Sequence, residues 1–217
     1  MYKYLLFDFD GTLFKTDTIA VPAYRKVFSM LKENGLYKGE IPSEEEVKNV
    51  MGMTSEFIYN RLMPGSTNNE KNIVRNFVIQ EEISLVKTGY GELYPHVYDT
   101  LSYLFYSNYI MYVASNGMLE YVKAISESMN IIGFLKKIYT SYDYNINKKD
   151  ELVSMILEKE NIPKNYAYMI GDRELDIIAG KSNNLKVIGC RYGYANKDEL
   201  NDADIIIDNF NELCSLL

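Results

Sequence analysis

Short apolar runs alternate with amphipathic stretches through much of the chain. The apolar runs predict strands near residues 3–8, 109–114, 137–140, 166–170, 186–190 and 204–207, and short helical stretches separate most of the later ones. This alternation is typical of a parallel sheet that is covered by helices on both faces. The pattern therefore predicts an α/β fold with a doubly wound parallel sheet.

Residues 15–91 interrupt the alternation and contain no convincing strand. Gly and Pro separate four amphipathic stretches, which predict helices at residues 18–34, 43–51, 55–62 and 69–88. Ser43 and Glu46 have the spacing of a capping box and support the start of the second helix. We therefore predict a core formed by residues 1–15 and 92–217 and an all-helical insert formed by residues 16–91.

Polar residues follow three of the predicted strands at the point where each strand ends. The segments are Asp8-Phe9-Asp10-Gly11-Thr12-Leu13, Ser115-Asn116-Gly117 and Gly171-Asp172-Arg173-Glu174-Leu175-Asp176. Open α/β sheets bind ligands beyond the carboxyl ends of their strands. Each segment alone also fits a plain turn, a helix cap, or acids that complement a helix dipole. The spacing of four would place Asp172 and Asp176 on one helix face, where both could reach one cation.

The three segments together resemble the conserved motifs of the haloacid dehalogenase superfamily. Most members are magnesium-dependent phosphohydrolases that form an aspartyl-phosphate. Asp8 to Leu13 resembles the first motif, Ser115 the second, and Gly171 to Asp176 the fourth. The third motif is a lysine, for which Lys149-Asp150-Glu151-Leu152-Val153 is the better match and Lys148 the alternative.

The resemblance extends beyond these motifs to the rest of the chain. It implies a Rossmann-like core, and the insert resembles the family's helical cap, which closes over the nucleophile and selects the substrate. The hinges would lie near residues 14–17 and 88–94. The segment Cys190-Arg191-Tyr192-Gly193-Tyr194 looks most like the phosphoglycolate phosphatase branch.

The resemblance also implies a role for each motif residue. Asp8 would be the nucleophile, and Asp10 would protonate the leaving oxygen and then activate water. Asp176 would support the metal or orient the lysine. The predicted catalytic residues are Asp8, Asp10, Ser115 and Lys149. The predicted phosphate-binding residues are Gly11, Thr12, Ser115, Asn116 and Lys149. The predicted Mg²⁺ ligands are Asp8, Asp10 through its backbone carbonyl, Asp172 and Asp176.

Composition excludes several other classes of protein. The chain has 217 residues, of which 47% are hydrophobic, enough for one core and a smaller module. A net charge of −7 provides no basic surface for nucleic acid. The two cysteines, Cys190 and Cys214, lack the spacing of a metal site, and the single histidine, His96, cannot form a histidine cluster. We predict core positions for the cysteines and a local structural role for His96.

We expect a magnesium-dependent phosphatase that acts on a small phosphorylated metabolite. We further expect a cytoplasmic monomer or homodimer that binds neither nucleic acid nor membrane, because neither a leader nor a membrane-length apolar run is evident. The retained acid at Asp10 disfavours halide displacement. One alternative is a β-phosphoglucomutase-like enzyme, and another is a catalytically silent binding protein with the same fold.

Overall fold

Six parallel strands form one sheet in the computed structural model, which describes residues 4–196 and 198–217. The strands are β1 (Tyr4–Phe7), β2 (Ile110–Ser115), β3 (Lys137–Thr140), β4 (Ala167–Gly171), β5 (Lys186–Cys190) and β6 (Ile205–Ile207). Every predicted strand is present with its ends shifted by at most two residues, although Lys3 lies outside the described part. The prediction of an α/β fold is confirmed.

The strand order β3-β2-β1-β4-β5-β6 places β1 at the centre of the sheet. The chain builds outward from β1 through β2 to β3, and then returns to the other side of β1 to form β4. Ligands in doubly wound sheets bind at such a switch point, beyond the carboxyl ends of the strands. Asp8 follows β1 directly and Asp172 follows β4 directly. The topology therefore brings two of the predicted site residues to the switch point.

Helices cover both faces of the sheet. The helices of the described residues are α1 (Asp17–Glu33), α2 (Glu44–Asn49), α3 (Ser55–Leu62), α4 (Asn68–Lys87), α5 (Val97–Tyr106), α6 (Leu119–Ser128), α7 (Lys149–Lys159), α8 (Glu174–Ser182) and α9 (Leu213–Leu216). Of these, α5, α6 and α9 pack on one face of the sheet, and α7 and α8 pack on the other. Successive strand residues point to opposite faces. Leu5 accordingly packs with α5 and α6, whereas Leu6 packs with α7 and α8.

Helices α1 to α4 form the insert and share a hydrophobic cluster of their own. Its fully buried members include Phe28 from α1 and Val47 from α2, and Val74 on α4 is also buried. The predicted capping box is present, since the Ser43 side chain accepts from the backbone N–H of Glu46 while the Glu46 side chain accepts from that of Ser43. The separate cluster supports the predicted two-part organisation, whose boundaries remain our proposal.

Smaller sequence predictions can also be compared with the structure. His96 caps α5 with a left-handed backbone (φ 67°), which is the local structural role predicted for it. Cys190 is fully buried, and Cys214 is partly buried. The described helices include none whose length and apolar character would let it span a membrane.

Candidate active site

A buried ammonium group links two of the predicted site acids. The Lys149 Nζ lies 2.5 Å from Asp8 Oδ1 and 2.5 Å from Asp176 Oδ1, and all three side chains are almost completely buried. Lys148, the alternative candidate, is exposed at the residue that precedes α7. Burial acts to lower the pKa of Lys149, but Asp176 and Asp8 outweigh it and raise that pKa. Lys149 is therefore the lysine that the structure places in the site.

Asp8, Asp172 and Asp176 form a buried acidic cluster around this lysine. One oxygen from each carboxylate lies within 4.8 Å of the others. Burial, followed by the charge of Asp176, raises the pKa of Asp8 and raises that of Asp172 to about 7. Three acids with one lysine leave an excess of negative charge, so the cluster favours a further cation.

The donor set of this cluster fits a divalent metal ion. Asp8 Oδ2 is buried and has no hydrogen-bond partner among the described residues. A buried carboxylate oxygen without a partner is costly unless a ligand uses it. Carboxylate oxygens are the ligands that hard divalent cations such as Mg²⁺ prefer. The cluster is therefore compatible with a divalent cation.

Asp172 is held from two directions. Its Oδ1 accepts from the Thr12 hydroxyl at 3.0 Å, and its Oδ2 accepts from the Tyr194 backbone N–H at 2.7 Å. Gly11 has a φ of 90°, and a Cβ on it would lie 2.3 Å from Asp172 Oδ2. The turn after β1 thus needs glycine to approach this carboxylate. Thr12 uses its hydroxyl on Asp172, and its part in phosphate binding stays a prediction.

Asp172 and Asp176 meet in a different way from the one predicted. Asp172 lies in the loop after β4, whereas α8 begins only at Glu174, so the two acids do not share a helical turn. Asp176 instead turns back, and its Oδ2 accepts from the Arg173 backbone N–H at 2.9 Å. The two carboxylates converge because the loop folds over the end of the strand.

Asp10 makes its side-chain hydrogen bonds with residues outside the acidic cluster. Its Oδ1 accepts from the Thr16 hydroxyl at 2.6 Å and from the Tyr121 hydroxyl at 2.8 Å. Burial raises the pKa of Asp10, and these two hydrogen bonds oppose the shift. Asp8 and Asp10 thus have different surroundings, as two acids with different chemical roles would require.

The end of β2 carries two of the predicted phosphate-binding residues, and one of them contacts the insert. Ser115 is fully buried, and its Oγ accepts from the Gly117 backbone N–H at 2.9 Å. The Asn116 side chain donates to the Gly52 carbonyl of the insert at 3.2 Å. Arg173 makes a similar contact from the end of β4, since its Nη1 donates to the Met51 carbonyl at 3.1 Å. Two residues of the sheet side therefore bind the segment between α2 and α3.

The sequence of this chain matches a known family model across most of its length. Residues 5–190 match the family described as haloacid dehalogenase-like hydrolase. The chain belongs to this family. The expected resemblance is thereby confirmed, and the protein is an enzyme of the hydrolase class.

Named relatives cover nearly the whole chain. Pyrophosphatase PpaX from Oceanobacillus iheyensis is 25% identical over 216 residues, which are 98% of this chain and 95% of the relative. Phosphoglycolate phosphatase from Photobacterium profundum is 23% identical over 225 residues, with 99% and 95% of the two chains covered.

Solved structures share the same fold. A predicted phosphoglycolate phosphatase from Haemophilus somnus has a TM-score of 0.84 at 22% identity, covering 99% of this chain and 97% of its own. A β-phosphoglucomutase from Clostridium difficile has a TM-score of 0.79 at 18% identity, with 98% and 93% covered. The names of these two structures give different activities, so the likeness in fold alone does not decide between a phosphatase and a mutase.

Several residues around this family site were not found from the sequence. Thr16 and Tyr121 donate hydrogen bonds to Asp10. Thr16 lies just before α1 and Tyr121 lies on α6, and the sequence around each of them contains no pattern that indicates a site residue. Tyr194 lies in the segment that resembles the phosphoglycolate phosphatase branch, although its backbone contact with Asp172 was not predicted. Glu82 did carry a signal, because it interrupts the buried stripe of α4 between Val78 and Val86.

Proposed function

We propose that the protein is a magnesium-dependent phosphatase that hydrolyses a small phosphorylated metabolite through an aspartyl-phosphate on Asp8. The observation that carries this proposal is the buried arrangement of Asp8, with one oxygen on Lys149 and the other without a partner. The family match and the names of the curated relatives support phosphatase activity.

Asp8 acts as the nucleophile in this mechanism. Its carboxylate oxygen forms a bond to phosphorus while the bond from phosphorus to the leaving oxygen breaks. Asp10 gives its proton to that leaving oxygen, which departs as an alcohol. This splits one difficult hydrolysis into two easier steps.

Asp10 then reverses its role. Its carboxylate takes a proton from water, the water oxygen attacks phosphorus, and the bond to Asp8 breaks to release inorganic phosphate. Thr16 and Tyr121 keep the Asp10 carboxyl in one orientation for both steps. A group that alternates between acid and base needs a pKa near the working pH, and burial raises that of Asp10 toward it.

The remaining motif residues compensate charge on the transferring group. Lys149, the Ser115 hydroxyl and the backbone N–H groups near Gly11 and Asn116 would bind the phosphoryl oxygens. Mg²⁺, held by Asp8, the Asp10 carbonyl and Asp172 with support from Asp176, would supply positive charge that stabilises the transition state. Positioning and charge compensation supply most of the rate gain in phosphoryl transfer.

The test is hydrolysis of p-nitrophenyl phosphate by purified protein with Mg²⁺. We expect chelation to abolish turnover and Mg²⁺ to restore it, and we expect Asp8→Asn to lower it by orders of magnitude. Asp172→Ala should raise the Mg²⁺ concentration needed for half-maximal rate. Asp202→Asn is the matched control, because Asp202 is exposed. Full activity of Asp8→Asn, with mass spectrometry excluding deamidation, would refute the covalent mechanism.

The mutase alternative is favoured only by the likeness in fold to the β-phosphoglucomutase. A mutase returns the phosphoryl group to a sugar, whereas a phosphatase gives it to water. We expect release of inorganic phosphate from simple monoesters and no isomerisation of β-glucose 1-phosphate, even with the bisphosphate added. Fast isomerisation with little phosphate release would favour the mutase.

The cytoplasmic location and the monomeric or homodimeric state also remain predictions.

A further inference from the structure

A buried glutamate borders the cavity that Asp10 lines. Glu82 on α4 is 6% exposed and faces a cavity of about 80 Å³ between the insert and the sheet. Asp10, Thr16 and Tyr121 line the same cavity. Because Asp10 would protonate the leaving oxygen, the leaving group of a bound substrate would lie in this cavity, against Glu82.

Glu82 is a carboxyl group in an otherwise apolar buried face of α4, and its polar neighbours are the Tyr24, Tyr59 and Tyr121 hydroxyls. It lies four residues from both Val78 and Val86, and these two side chains are buried in the same face of α4. Burial, followed by the negative charge of Asp10, raises the pKa of Glu82, and no ion pair reaches it from residues 4–196 or 198–217. Buried carboxyl groups are normally paired or hydrogen-bonded.

Arg75, which also lies on α4, contributes a positive charge to the wall of this cavity. Arg75 is the only cation among the described lining residues. It precedes Glu82 by seven residues, or roughly 10 Å along the helix. Its guanidinium lies over the Tyr142 ring at 4.8 Å, and its Nη2 donates to the Tyr142 hydroxyl at 3.0 Å. A short leaving group next to Asp10 would meet Glu82. Arg75 also acts on Tyr59, as Glu82 does, so an experiment must separate the two charges.

We propose that Glu82 selects phosphate monoesters whose leaving group carries a hydrogen-bond donor, either a hydroxyl or an ammonium group, and disfavours leaving groups that end in a carboxylate. The ionised carboxyl of Glu82 accepts a hydrogen bond from such a donor and repels a carboxylate, and an ammonium group also favours the ionised form against the effect of burial. This inference rests on the phosphatase activity proposed above. The proposed substrate therefore differs from phosphoglycolate, which the name of a relative gives as that relative's substrate.

Four esters of equal chain length test the selection. They are ethyl phosphate, 2-hydroxyethyl phosphate, O-phosphoethanolamine and 2-phosphoglycolate, whose two-carbon leaving groups end in a methyl, a hydroxyl, an ammonium and a carboxylate. We expect kcat/KM for the hydroxyl or ammonium ester to exceed that for 2-phosphoglycolate by about tenfold or more, as one charge-assisted hydrogen bond allows. Whichever of the two donor esters is faster identifies the kind of donor.

Variants assign the preference to this side chain. Glu82→Leu should lose the preference for both donor esters, and Glu82→Gln should lose more for the ammonium ester, because glutamine still accepts a hydrogen bond but carries no charge. Glu81→Gln is the matched control, since Glu81 pairs instead with Lys26 on α1. Circular dichroism shows whether each variant is folded, and the ratios of kcat/KM between esters, not the absolute rates, carry the comparison.

Three results would overturn the inference. One is a preference of the wild-type protein for 2-phosphoglycolate. If Arg75→Gln then lost this preference, the Arg75 guanidinium would be the group that binds an anionic leaving group. Another is a set of kcat/KM ratios that is the same in wild type and Glu82→Leu. The third is hydrolysis of the aryl ester with no turnover of the four esters, which leaves the phosphatase proposal intact. Failure of the phosphatase proposal itself is separate, and appears as an active Asp8→Asn variant.

Discussion

Replacing Lys149 with methionine should destabilise the metal-free protein strongly. The change keeps a similar apolar stem but removes the ammonium group that contacts Asp8 and Asp176, each at 2.5 Å. Removing one partner from a buried ion pair costs about 3–5 kcal/mol, since the remaining charge is buried without compensation. Two carboxylates lose their partner here, so we expect a loss of about 5 kcal/mol near neutral pH.

The loss should depend on pH in a defined direction. Without the lysine, the pKa of Asp8, which burial already raises, rises further. The native state then keeps a proton that the unfolded chain releases near its ordinary pKa of 3.8. The free energy of unfolding of the variant therefore falls, relative to wild type, as pH rises from that value toward the native pKa. The difference between the two proteins should be smallest in acid and largest between the native pKa of Asp8 and the ordinary lysine pKa of 10.5, because above 10.5 the raised pKa of Lys149 makes wild type lose stability as well.

Urea unfolding followed by circular dichroism, with a chelator present, measures this effect at several pH values. For a chain of 217 residues, a loss of about 5 kcal/mol corresponds to a fall in Tm of roughly 10–20 °C. Lys148→Met is the matched control, because Lys148 is the exposed neighbour. The reasoning would be refuted by a Lys149→Met variant within about 1 kcal/mol of wild type between the native pKa of Asp8 and pH 10.5, or by an equal loss in the control.

The remaining predictions concern Asp10, its hydrogen-bond partner and the turn after β1. Asp10→Asn should slow alkyl phosphates more than aryl phosphates, because a good leaving group needs less protonation; equal losses in kcat/KM would remove Asp10 from the acid role. Tyr121→Phe removes a hydrogen bond that lowers the pKa of Asp10, so the alkaline limb of the pH profile for an alkyl ester should move to higher pH. An unmoved limb would contradict this. Gly11→Ala should lower the free energy of unfolding, measured by thermal unfolding, by about 1–3 kcal/mol and should raise the Mg²⁺ requirement. Gly133→Ala should change neither quantity, because the space around Gly133 is open.

The sheet could be predicted from the sequence because its signals are local. Each strand is a short apolar run between turn residues, and the position of Asp8 beyond β1 follows from the end of such a run. The chemistry of the first and fourth motifs could be proposed for the same reason, since their acids are close together in the sequence. The motif pattern preferred Lys149 to Lys148, and the structure adds the physical difference, because the start of α7 turns one lysine inward and leaves the other exposed.

The residues that surround Asp10 could not be predicted, because they depend on how helices pack. Thr16 and Tyr121 are 105 positions apart in the chain, and only the arrangement of α1 and α6 over the sheet brings both hydroxyls to one oxygen. The spacing of Asp172 and Asp176 led us to expect that their carboxylates would converge, and they do. The convergence comes from the loop after β4 and not from a shared helical turn. The pattern of α4 contained a usable signal at Glu82, where an acid stands in an otherwise apolar stripe.

Two contacts join the sheet to the segment that connects α2 and α3. We expect them to couple substrate binding to docking of the insert. Asn116, which binds the Gly52 carbonyl, adjoins Ser115, and Arg173, which binds the Met51 carbonyl, adjoins Asp172. We expect a ligand that orders Ser115 and Asp172 to stabilise the contacts of their neighbours with the insert as well. Thermodynamic reciprocity then requires the docked insert to raise the affinity for that ligand by the same factor. Weakening either contact should therefore raise the dissociation constant for inorganic phosphate, although neither Met51 nor Gly52 belongs to the acidic cluster.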